Sequence, residues 1–176
     1  MQFVIVIILE LIVIGGCCQP QDKINKSIIR GGYTNVLNLS NGALISSRQM
    51  NYYPEGQIQS LCLRDSIYNV NGHKGFWACL IGRSIIIDLF QTYELNTLKL
   101  RVWDLEFARW YNLEVYIIYN NIKKLIFQQL AQRVITIQFE DQYVEQIEIF
   151  NRSGNTVHSA LDIIKIEAFY QIRNQK

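Results

Sequence analysis

The chain has 176 residues, 49% of them hydrophobic and 18% charged, with a net charge of +2. A chain of this length and apolar content buries a full core, which excludes intrinsic disorder. So small a net charge, with no basic stripe interleaved with aromatics, excludes a phosphate-backbone partner, and no nucleic acid is expected.

Phe3 to Ile14 is an apolar run broken only by Glu10 and followed by Gly15-Gly16-Cys17-Cys18. Its length matches a signal-peptide h-region and falls short of a bilayer span. The first residues carry no Lys or Arg, and no A-x-A cleavage site follows. Two readings stay open: Met1 to Gly16 is a cleaved signal peptide, or it is a β-branched segment kept in the mature protein. A polar stretch from Gln19 to Lys26 separates this start from the rest, so residues 1–26 read as start and linker, 27–172 as one domain and 173–176 as a tail.

Beyond the linker, short strands alternate with turns. Ile, Asn, Gln and Tyr are abundant and Pro is nearly absent, which suits strands and polar turns over helices. Asn71-Gly72 signals a turn. Ser84 to Leu89 alternates little and is expected in the centre of the fold. Leu98, Leu100 and Val102 then alternate with Lys99, Arg101 and Trp103, and Leu113, Val115 and Ile117 alternate with Asn112, Glu114 and Tyr116. Ile122 to Ala131 is the one candidate helix and reads better as strand. Ile135, Ile137 and Phe139 alternate with polar neighbours, as Ile147 and Ile149 do around Glu148. Period two with one greasy and one wet face is what an antiparallel sheet packed on one side requires. Asp141-Gln142 and Ser153-Gly154-Asn155 mark further turns. Many short strands with few helices predict a sandwich or a barrel.

Catalysis is not encoded in any recognisable form. No G-x-S-x-G elbow, H-E-x-x-H, P-loop, dinucleotide fingerprint or calcium loop occurs. The two histidines are His73, in an Asn-Gly-His-Lys-Gly turn, and His158, read as a turn histidine making local hydrogen bonds. Asp104 and Glu106 read as a turn-anchoring carboxylate and a solvated one. Cys17, Cys18, Cys62 and Cys79 contain no C-x-x-C pair, so no zinc site is expected, and no cofactor. No cysteine follows Cys79 to staple the end of the domain to its beginning, a pattern ordinary for a reducing compartment. Sequons at Asn25, Asn38 and Asn151 matter only if the chain is secreted.

Four segments in order carry a resemblance. They are Asn41-Gly42-Ala43 with Ser46-Ser47; Gly75-Phe76 with Gly82; Ile87-x-Leu89-x-Gln91-x-Tyr93 with Leu98-x-Leu100-x-Val102-Trp103-Asp104; and Asn155-Thr156 with Leu161, Ile164, Ile166 and Glu167. From about Gly31 to Tyr170 the chain resembles an F5/8 type C (discoidin) domain, most like those that follow BTB/POZ and BACK domains in adaptor proteins. The resemblance implies an all-β, antiparallel jelly-roll β-sandwich of the galactose-binding-domain-like kind. Phe90 replaces the family's usual small residue before Gln91, the stretch after Asp104 lacks the Arg-x-Tyr pattern, and the end-to-end disulfide is missing. No BTB or BACK sequence accompanies the domain, so no ubiquitin-ligase adaptor role is implied.

In that family ligands and partners meet loops at one end of the sandwich. Three segments carry large rings beside polar donors: Met50 to Pro54, Asn71 to Trp77 and Phe107 to Tyr111. Tyr52, Tyr53, Asn71, His73, Trp77, Arg109 and Trp110 are the candidate binding residues. Such rings suit a protein hot spot, sugar stacking or a membrane interface. Alternatively Phe76, Trp77, Trp103 and Tyr111 plug the ends of the core. The expected function is a non-catalytic module binding a protein partner, cytoplasmic by its missing disulfide. The alternative is a secreted or surface lectin-like module that binds carbohydrate or phospholipid.

Overall fold

The computed structural model describes residues 35–47, 62–63, 76–104 and 108–173. The apolar start, the Asn71-Gly72 turn and the candidates Tyr52, Tyr53, Asn71 and His73 lie outside the described residues.

Within them the chain is antiparallel β throughout, apart from a 3-10 turn at Leu39–Asn41. The strands are β1 (Leu44–Ile45), β2 (Trp77–Leu80), β3 (Ser84–Val102), β4 (Tyr111–Tyr119), β5 (Ile122–Ala131), β6 (Val134–Asn155) and β7 (Ala160–Phe169). They follow the order β2-β7-β3-β6-β4-β5, with β1 against β3. The two long central strands explain how one hydrogen-bonded sheet makes two layers. The first half of β3 pairs with β1 and with the second half of β6, which also carries β4 and then β5. The second half of β3 pairs with the first half of β6 and with β7, which carries β2. Register shifts at Asp88/Tyr93 and Leu95/Thr97 mark the bend, because extra residues on one strand kink and twist it. The sheet thereby folds over its own apolar side into a jelly-roll β-sandwich.

One contiguous core lies between the layers. Ile85, Ile87, Leu98, Leu100, Val115, Ile117, Ile149, Leu161, Ile163 and Ile166 all belong to it. The period-two segments therefore sit as expected, and Ile122 to Ala131 is a strand at the edge of the sheet. The tight β4–β5 connection comes from Asn120 and Asn121, at φ 48° and 61°, a left-handed pair that Asn tolerates and hairpin turns require.

One expected turn needs correction. Asp141-Gln142 does not end a strand: β6 runs through it, bending where its register to β3 slips. At Phe90, where the family has a small residue, β3 is continuous and the Phe90 ring, 74% exposed, packs over Gly42. The wet face of Leu98 to Trp103 is also drier than alternation implies. Arg101 and Trp103 are buried, and Trp103 forms a second small cluster with Ile164 and Phe76 on the outer side of β7.

Candidate functional site

The site is built where the loop entering β4 meets the turn between β6 and β7. That turn is shaped by its own side chains. Asn155 Oδ1 accepts from the backbone N–H of Val157 (2.8 Å) and of His158 (3.0 Å), while its Nδ2 donates to the carbonyl of Ala160 (2.8 Å). Gly154 has φ +77°, and a Cβ there would lie 2.6 Å from the His158 carbonyl oxygen, so only glycine lets the turn close. Below it, fully buried Asn151 accepts from Gly154 N–H (2.6 Å) and donates to the carbonyls of Cys79 (2.9 Å) and Ser159 (3.1 Å). One amide thus ties β2, β6 and the turn together. With every atom of its amide engaged inside the fold, Asn151 is a structural sequon and carries no glycan in this state.

The β4 loop docks on this turn through backbone: Thr156 N–H donates to the Trp110 carbonyl (3.1 Å), and Trp110 N–H donates to Thr156 Oγ1 (3.3 Å). Docking brings a polar cluster together. Arg109 Nη1 lies 2.8 Å from His158 Nε2 and 3.4 Å from Asp162 Oδ2, and His158 Nε2 is 3.2 Å from the same carboxylate oxygen. Tyr111 donates its hydroxyl to the Trp103 carbonyl (2.7 Å), with Asp162 Oδ2 3.3 Å away. Arg109 and Asp162 are 6% and 2% exposed, so their ion pair is an internal strut. Burial raises the Asp162 carboxyl above the usual carboxylate range, opposed by the charges of His158 and Arg109. Burial, then the Asp162 charge, pushes the Tyr111 phenol up as well. What this assembly shows to solvent is the His158 ring, with 40% of its side chain exposed, and the indole of Trp110, 47% exposed.

Beside the cluster lies a cleft of about 450 Å³. Among the described residues its floor is Phe76, Ala78, Leu80 and Ala160, and His158 and Asp162 supply its polar edge. An apolar platform next to a few fixed polar groups is the usual make-up of a small-ligand site. Cys79 reaches the cleft, but burial and then Asp162 push its thiol to about 12, and it donates to the Arg83 carbonyl (3.6 Å). Among the described residues no group of His, Cys, Asp and Glu could hold a metal ion.

The structure sorts the sequence candidates. Arg109 and Trp110 come to the site, although Arg109 serves it from inside. Trp77 does not: it pairs with Ile163 and packs on the main core, on the face of β2 opposite the cleft. Trp103 is buried in the small outer cluster with Ile164 rather than in the main core, and Phe76 both packs edge-on against it (centroids 4.9 Å apart) and lines the cleft. His158 does make the expected local bonds, Nδ1 accepting from Ala160 N–H (3.1 Å), but its other nitrogen joins the cluster. Asp162 was missed, since it sits in the unbroken run Leu161-Asp162-Ile163-Ile164 with no motif around it.

No family model and no curated protein matches the chain. Solved structures do. Over 78% of its length, the chain is similar to 98% of CBM32-1 from a family 31 glycoside hydrolase of Clostridium perfringens, at 15% identity and TM-score 0.59. It is similar to 90% of the family 32 carbohydrate-binding module of C. perfringens NanJ, a complex with galactose, at 16% identity over 72% of the chain and TM-score 0.51. The fifth such module of a C. perfringens family 89 enzyme, a complex with GalNAc-β-1,3-galactose, matches over the same 72% at 16% identity and TM-score 0.51, covering 93% of that module. None of these is an adaptor of the BTB/POZ–BACK kind, and that part of the resemblance finds no support. The fold is that of the galactose-binding-like β-sandwiches.

Proposed function

We propose that this chain is a non-catalytic carbohydrate-binding module, and that its glycan sits in the cleft between His158 and the Phe76 floor, within reach of the neighbouring Trp110 loop. The observation that carries the reading is an apolar floor edged by the exposed His158 imidazole and held by a buried Arg109–Asp162 strut, with the exposed Trp110 indole on the loop that docks beside it. A sugar ring offers an apolar face to an aromatic side chain and hydroxyls to fixed polar groups, which is the pairing available here. Fold kinship with modules solved in complex with galactose and GalNAc-β-1,3-galactose supports the class of ligand. A protein partner, the leading expectation from sequence, has no comparable support.

Calorimetric titration with galactose and GalNAc-β-1,3-galactose tests the reading. Trp110→Ala and His158→Ala are expected to weaken binding about tenfold each, the equivalent of roughly 1.4 kcal/mol, with melting unchanged in Trp110→Ala and lowered in His158→Ala, whose ring also holds the turn. Binding that survives both substitutions places the ligand elsewhere.

A further inference from the structure

β4 starts beside the Arg109–Asp162 cluster, at Tyr111, and ends eight residues later, at Tyr119, in a second cleft. With a rise of about 3.3 Å per residue the two openings are roughly 26 Å apart, at opposite ends of the sandwich. The second cleft holds about 390 Å³ between the β4–β5 hairpin tip and the bend of β6. Tyr119 from β4 and Tyr143 from β6 form one wall, their ring centroids 5.6 Å apart and tilted by 46°. Buried Ile117 lies beneath, and Ile122, 72% exposed, forms the lip. Glu94, Asp141, Gln142 and Lys124 supply the polar groups.

This end is fixed before any ligand arrives. The Asn120-Asn121 turn sets the hairpin tip, and Asn120 N–H donates to Glu145 Oε2 (3.1 Å), pinning the tip to β6. Asp141 accepts from Asn96 Nδ2 (2.9 Å) and from the Tyr170 hydroxyl (2.7 Å), so its carboxylate is held in one orientation. A carboxylate has about four acceptor positions, and such bonds leave capacity for hydroxyl donors. Lys124 faces Glu140 (3.5 Å) across the rim, so the lining carries two carboxylates, Glu94 and Asp141, to one cation.

We propose that this cleft is a second saccharide site, selective for a neutral pyranose. The ring packs on the Tyr119–Tyr143 wall and donates its hydroxyls to Glu94, Asp141 and Gln142; a uronic acid is repelled by the same carboxylates. The proposal stands on this cleft's own geometry and does not depend on the Trp110 cleft. If both bind, the module is bivalent end to end and cross-links glycans.

Amide NMR of the full chain, titrated with methyl galactopyranoside, methyl glucopyranoside and glucuronic acid, tests it. Either neutral glycoside is expected to shift Tyr119, Ile122, Gln142 and Tyr143, in wild type and equally in Trp110→Ala. Glucuronic acid leaves them in place. Tyr119→Ala and Glu94→Gln should each weaken the effect about tenfold, and Tyr119→Phe should retain most of it. Glu94→Gln keeps the side-chain shape, so it decides the matter even if Tyr119→Ala is poorly folded. No shift with either neutral probe, an equal shift with glucuronic acid, or indifference to Glu94→Gln overturns the proposal. Failure of the first cleft is read separately, as absent shifts at Trp110 and Thr156 to Ala160.

Discussion

Replacing Asn151 by Ala should be among the most damaging single changes in this domain. Its amide serves three backbone groups on two strands and a turn: Gly154 N–H at 2.6 Å, and the Cys79 and Ser159 carbonyls at 2.9 and 3.1 Å. The side chain is fully buried, so water does not readily replace it. A buried polar group left without its partner costs about 1–3 kcal/mol, and partial relaxation trims the sum of three to about 3–5 kcal/mol. For a domain of this size that is a fall of roughly 6–20 °C in melting temperature. Urea unfolding followed by the fluorescence of buried Trp103 gives the measurement. Ser153→Ala, at an exposed position that destroys the same sequon, is the control and should stay within about 0.5 kcal/mol of wild type. Asn151→Asp keeps the acceptor for Gly154 but aims a carboxylate at two carbonyls, so it should lose at least as much near neutral pH and recover part of it in acid. A loss below about 1 kcal/mol for Asn151→Ala would refute the idea that one amide holds the β6–β7 turn.

Other outcomes follow from the same geometry. Gly154→Ala forces a side chain into positive φ with its Cβ 2.6 Å from the His158 carbonyl oxygen, so it should destabilise by more than about 1 kcal/mol and weaken glycan binding; thermal melting and titration check both. Arg109→Met leaves the Asp162 charge buried without its cation and should cost about 3–5 kcal/mol, much of it recovered by adding Asp162→Asn, as a double-mutant cycle would show. Because burial raises the Asp162 carboxyl, its contribution to stability is fully present below the unfolded carboxylate pKa and is lost as pH rises through the higher folded value. Wild type should therefore lose stability relative to Asp162→Asn as pH rises above about 4 in urea titrations; a relative gain would mean that the ion pair outweighs burial. The Cys79 thiol, buried and pushed to about 12, should resist iodoacetamide in the native state at pH 8 and react once unfolded, read by intact mass.

How far the sequence could be read depends on which faces of a strand are covered. Leu98, Leu100 and Val102, or Leu113, Val115 and Ile117, belong to strands with one face on the core, and such strands write their burial as period two. β7 does not. Asp162, Ile164 and Lys165 are buried on or beside its outer side, where Trp103 and Phe76 also pack, so Leu161 to Ile166 reads as an unbroken run whose polar members look misplaced. The length of β3 and β6 was hidden for a different reason. Each register shift adds residues that flip the alternation, and a bulge inside a strand then looks like a turn between two strands, as at Asp141.

The site was legible only where a residue was out of place in its local pattern. Trp110 and Arg109 stood out as a ring and a cation in a loop, and both reach the cluster. Their partners gave no such signal, because His158 and Asp162 lie 49 and 53 residues from Arg109 and are joined to it by the docking of two loops. His158 also satisfies a sufficient local role, accepting from Ala160 N–H through Nδ1, so nothing nearby calls for a second partner. The two roles use different ring nitrogens, and that separation is what lets a turn histidine serve a binding site. The backbone bond fixes the ring plane from one side, leaving the opposite edge preorganised beside Arg109 and Asp162 at no further entropic cost. Loops that bind ligands this way write their own turn chemistry plainly and their tertiary partners hardly at all.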